Sequence, residues 1–77
     1  MSVRPAHYRV VVQIFEMAGC KYARTRGDHM IYYFPGAVRP VVIPKYKEIP
    51  VFVIRNNMRV IGLKPQDYLQ LLDKVKS

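Results

Sequence analysis

The 77-residue chain has no tryptophan, one cysteine, and only five acidic residues against thirteen lysines and arginines. The single cysteine, Cys20, rules out an intrachain disulfide. Small secreted domains usually carry several cysteines, so a cytoplasmic location is expected. Cys20 itself reads as a small apolar core residue rather than a nucleophile. No apolar run approaches the roughly 20 residues that a membrane span needs, and Met1-Ser2-Val3-Arg4-Pro5 lacks a signal-peptide core. The scattered carboxylates offer no pair for a two-metal or glycosidase site. Cysteine and histidine lack zinc spacing. The phosphate-binding Gly-x-x-x-x-Gly-Lys-Ser/Thr loop and the G-x-S-x-G elbow are both missing. Nothing therefore calls for a metal or a cofactor.

Positive charge is abundant. A formal +8 with a pI near 10 points to a polyanionic partner. Solubility alone is the plainer explanation, but it does not require so large an excess on a small domain. The basic residues are spread along the chain rather than lined on one amphipathic helix, which argues against a membrane surface. Length predicts one domain over 1–77 with one modest core, and an apolar share of 51% is enough to build it.

Periodicity and punctuation predict the order α-β-β-β-α-α. A helix is expected over 5–18, opened by Pro5, striped by Tyr8, Val11, Ile14, Phe15 and Ala18, and stopped by Gly19. A basic strand over 21–26 follows, then the turn Gly27-Asp28. An aromatic strand spans 29–34 and ends at the turn Pro35-Gly36. The third strand is placed at 38–43, where Pro40 signals an edge or a bulge. A basic loop bracketed by Pro44 and Pro50 leads to a helix marked by Val51, Ile54, Met58 and Ile61 and stopped by Gly62. Pro65 opens the last helix, striped by Tyr68, Leu71, Leu72 and Val75. The expected fold is α+β, a three-stranded antiparallel sheet with helices on one face.

Histidine and cations remain as the chemistry-bearing groups. His29 opens the second strand behind Gly27-Asp28, with Arg24 and Arg26 just upstream. Imidazole takes or gives a proton near neutrality. RNA cleavage without metal needs a base at the ribose 2′-OH, an acid at the leaving oxygen, and cations for the charge growing on phosphate. Lys21, Arg24, Arg26, Lys45 and Lys47 are the candidate RNA-binding cations, and Asp28 is a candidate to orient the ring. A turn-flanking histidine without a role is the plainer reading of His29. His7, near the start of the first helix, is expected to face solvent. Tyr46, between Lys45 and Lys47, is the tyrosine most available for stacking on an unpaired base. Alternation puts His29, Ile31 and Tyr33 on one face of their strand and Met30, Tyr32 and Phe34 on the other. Both sets are largely apolar, so periodicity does not say which one meets the helices.

Six short motifs, in order, resemble the HicA-type toxins (the YcfA-like family) of toxin–antitoxin pairs. They are Met17-Ala18-Gly19, Lys21 to Arg26, Gly27-Asp28-His29, Val41-Val42-Ile43-Pro44, Ile61-Gly62-Leu63 and Tyr68-Leu69-Gln70-Leu71-Leu72. The resemblance covers roughly residues 8–75. It implies a fold similar to the double-stranded-RNA-binding domain and an mRNA-cleaving enzyme, an endoribonuclease with His29 catalytic. It also implies a HicB-like antitoxin partner that blocks the active surface. Two positions depart from the family pattern. Asp28 stands where serine is usual, so a non-catalytic RNA-binding module of the same fold is the alternative. Asn57 stands where the second helix normally carries an apolar residue, and a buried asparagine requires hydrogen-bond partners.

Overall fold

The computed structural model describes residues 2–76. The elements are α1 (Tyr8–Met17), β1 (Lys21–Arg26), β2 (His29–Tyr33), β3 (Val41–Pro44), α2 (Val51–Ile61) and α3 (Pro65–Lys76). The strands form one antiparallel sheet in the order β1-β2-β3. α1 and α2 pack on β3, and α3 packs against α1. The predicted α+β architecture and element order are observed.

The core joins Val11, Ile14 and Phe15 of α1, Tyr32 of β2, Val41 and Ile43 of β3, Ile54 and Met58 of α2, and Tyr68 of α3. Met30 and Phe34 pack against this cluster, whereas His29 and Tyr33 are exposed. The Met30-Tyr32-Phe34 face therefore meets the helices, and the His29-Ile31-Tyr33 face lies on the other side, where Ile31 is buried apart from the core cluster between its exposed neighbours. Burial also places the phenol of Tyr32 within reach of Glu16, to which it donates a 3.0 Å hydrogen bond. Desolvation, and then that carboxylate, push the Tyr32 phenol well above its ordinary range.

Two predicted boundaries are corrected. α1 begins at Tyr8, not Pro5, because Ala6 bonds Ile49 in an isolated bridge, with Ile49 N donating to Ala6 O at 2.7 Å. His7 is then the N-cap, with extended backbone, and its Nδ1 accepts from Arg9 N at 3.1 Å. This half-buried capping position replaces the expected solvent-facing one. β3 starts at Val41 rather than residue 38. Pro40 has no N–H for a ladder, and Val38 is fully exposed in the loop before it.

Asn57 is buried at 8% exposure and has the partners it requires. Its Nδ2 donates to Val42 O at 2.8 Å, and its Oδ1 accepts from Val42 N at 3.3 Å. β3 is a sheet edge, and edges present unpaired backbone groups. One side chain of α2 thus supplies, at Val42, the pairing that another strand would have given.

Candidate nucleic-acid interface

The open sheet face is assembled by register. Arg26 lies opposite His29, Arg24 opposite Ile31, and Lys21 opposite Tyr33. Directly paired residues project to the same face, so all three β1 cations share the face of His29. A bulge makes this possible, because the pairing shifts between Tyr22 and Arg24 and leaves Ala23 without a partner. An extra residue in one strand reverses its facing from that point. Tyr22 consequently turns to the other side, where its ring meets Tyr32 edge-on at 5.5 Å. Arg24 Nη1 also donates to Tyr33 Oη at 3.4 Å. Tyr33 belongs to this surface and was not among the predicted site residues, although its parity with His29 was a usable signal.

His29 sits at the mouth of β2, immediately after the two-residue turn. Gly27 there has φ 61° and Asp28 has none of the positive φ that would strain it. A glycine in the first turn position suits a tight hairpin. No atom crowds the place a Cβ would take, so the backbone angle, not space, requires glycine. The turn projects the Asp28 carboxylate to 3.2 Å from His29 Nδ1, with side-chain exposures of 65% and 49%. The imidazole is therefore both in contact with a carboxylate and open to solvent.

On the other flank, His29 pairs with Pro44 of β3. Lys45 N donates to Asp28 O at 2.7 Å, fixing the start of the basic loop against the turn. Tyr46 is 44% exposed in that loop. Its carbonyl accepts from Tyr8 N at 3.1 Å, tying the loop to the head of α1. The Tyr8 phenol is lowered from its ordinary range, chiefly by its hydrogen bond with Arg9 and in lesser part by the charge of Lys45.

The predicted residues fall into two groups. His29, Asp28, Arg26 and Arg24 gather at one end of the open face. Lys45 is exposed just past the end of β3, and its charge acts on the Tyr8 phenol at the head of α1. Lys21 lies on the same face but at the far end of β1, four pairs along the ladder from His29. At about 3.3 Å per residue, that is roughly 13 Å away. Lys47 is exposed in the loop beyond Lys45. Among the described residues, no three of His, Cys, Asp and Glu stand close enough to hold a metal ion together, and no helix is long and apolar enough to cross a membrane.

No curated protein matches the chain. A family model described as the HicA toxin of bacterial toxin–antitoxin systems matches residues 8–63. That match spans α1 through the turn after α2, including the whole sheet and the Gly27-Asp28-His29 turn. With more than half of its length matched, the chain belongs to the HicA toxin family.

Proposed function

We propose that the protein is a metal-independent endoribonuclease that cleaves mRNA with His29 and is silenced by a cognate HicB-like antitoxin. The observation carrying this reading is the Asp28–His29 contact of 3.2 Å on an open face, with Arg26 directly opposite. A carboxylate at Nδ1 favours the tautomer with its proton there, leaving Nε2 as the acceptor. Nε2 is then the base for a ribose 2′-OH. The resulting alkoxide attacks the adjacent phosphorus and expels the 5′-oxygen, which takes a proton from water in this half-exposed site. The guanidinium groups of Arg26 and Arg24 stabilise the charge on the phosphoryl oxygens, and Lys45 adds to the positive field at the turn. Lys21 and Lys47 extend the cationic surface along the RNA. The products are a 2′,3′-cyclic phosphate and a 5′-hydroxyl end.

His29→Ala is expected to abolish cleavage of a labelled RNA and growth arrest on induction while leaving the circular-dichroism spectrum unchanged. Full activity in that variant refutes the role of His29. The exposed Asp28 carboxylate favours a second reading, in which it repels phosphate and the chain binds RNA without cutting it. That reading requires salt-sensitive binding by the native chain, no products on long incubation, and cutting by Asp28→Ser.

A further inference from the structure

We propose that a strip of arginines on α2 and the β2–β3 loop is a second RNA contact, binding the phosphodiester backbone away from the cleavage site. It rests on the ribonuclease reading above and concerns residues outside that site. A groove of about 480 Å³ opens beside the start of β3, lined by Arg39, Pro40, Asn56, Asn57, Arg59 and Val60. Arg59 also lines an adjoining groove with Arg55, so the three arginines border two neighbouring depressions.

The groove is suited to an anion. None of its lining residues is acidic. Glu48 is the one carboxylate between Asp28 and Asp67 in the sequence. Among the described residues, no carboxylate pairs with Arg39 or Arg59. The fixed contact of Arg59 is to a neutral group, Nη1 donating to Asn56 Oδ1 at 2.9 Å. That bond steadies the guanidinium while leaving most of its five donors unused. The position of Arg59 in the last turn of α2 complements the helix dipole, but Arg39 lies in a loop and has no such reason to be there.

β3 connects the two sites. Its residue Pro44 pairs with His29, and Pro40, just before its start, lines the groove. Four residues of extended chain span roughly 13 Å, more than one nucleotide covers. The ligand that uses both is therefore an RNA strand of several nucleotides running along the β3 edge, not a mononucleotide. The strip adds affinity through phosphate contacts and takes no part in the chemistry.

The test measures binding of a fluorescent 12-nucleotide RNA by anisotropy across a salt series, in a His29→Ala background that prevents cutting. Replacing Arg39 and Arg59 with Gln removes two phosphate contacts. The slope of log K against log salt should become shallower by about 1.4, and affinity at 0.1 M salt should fall about 25-fold. Arg39→Gln alone should give about half that change in slope, and it alters only an exposed loop side chain, so it serves if the double variant is unstable. Arg39→Lys with Arg59→Lys should retain most of the slope. An unchanged slope in the Gln variants overturns the strip while leaving the ribonuclease reading standing. Loss of binding to an acidic antitoxin, with RNA binding unchanged, also overturns it. If the parent protein shows no salt-dependent RNA binding, both proposals fall.

Discussion

Asn57→Ala should be among the most destabilising polar substitutions in this protein. The side chain makes two hydrogen bonds to one residue of the edge strand, at 2.8 and 3.3 Å to Val42 O and N. Truncation leaves a backbone N–H and a C=O without those partners. An unpaired buried polar group costs about 1–3 kcal/mol. The Val42 groups are only partly buried, and the groove lined by Asn57 and Pro40 opens to solvent, so each cost falls near the lower end. The sum is about 2–4 kcal/mol. At roughly 0.05–0.15 kcal/mol per residue, a chain of this size has about 4–12 kcal/mol in all, so the loss is a large share. Urea unfolding followed by circular dichroism should show a lower midpoint with an unchanged slope. Asn57→Leu keeps the volume but not the bonds and should not recover the loss. A change within about 0.5 kcal/mol for Asn57→Ala, the range of ordinary surface substitutions, would refute the idea that Asn57 completes the β3 edge.

Tyr68→Phe should act in the opposite direction. The Tyr68 hydroxyl is buried and has no hydrogen-bond partner among the described residues, so removing it should stabilise the fold by about 1 kcal/mol in the same urea assay, and a comparable loss would show the hydroxyl to be bonded. Alkaline pH should weaken the fold through its buried thiol and phenols, the Tyr32 phenol among them. Burial pushes the Cys20 thiol up to about 11 and the Tyr68 phenol up to about 12. Raised values mean that unfolding favours ionisation, so this stability is complete below the ordinary thiol range near 9 and is lost as pH climbs through 11 to 12. Melting temperature should fall over that window, and Cys20→Ala should remove the earlier part of the fall; a flat profile to pH 12 would contradict both burials.

The element order was legible because its signals are local. Gly27-Asp28, Gly62 and Pro65 end or begin elements through backbone angles that the residue itself imposes, and each stands where it was expected. The missed start of α1 depended on a distant partner. Ala6 is drawn out of α1 by Ile49, forty-three positions away, and no property of Pro5 or Ala6 announces that bond. The need of Asn57 for partners was legible but their identity was not, because Val42 lies in another element and the bonds are to backbone, which has no sequence signature.

The candidate site shows the same division at finer scale. His29 was legible from its place after a tight turn, and the neighbouring arginines from composition. Their convergence was not legible. Tyr22, Arg24 and Arg26 share parity along β1, so strict alternation assigns all three to one face. The unpaired Ala23 breaks that rule. It sends the Tyr22 ring to Tyr32 while Arg24 and Arg26 stay opposite Ile31 and His29. A regular six-residue strand would have left an aromatic ring on the basic face or an arginine against the helices. The bulge keeps the apolar residue over the core side and the cations on the open side, so one residue with no partner of its own determines which side chains surround the histidine.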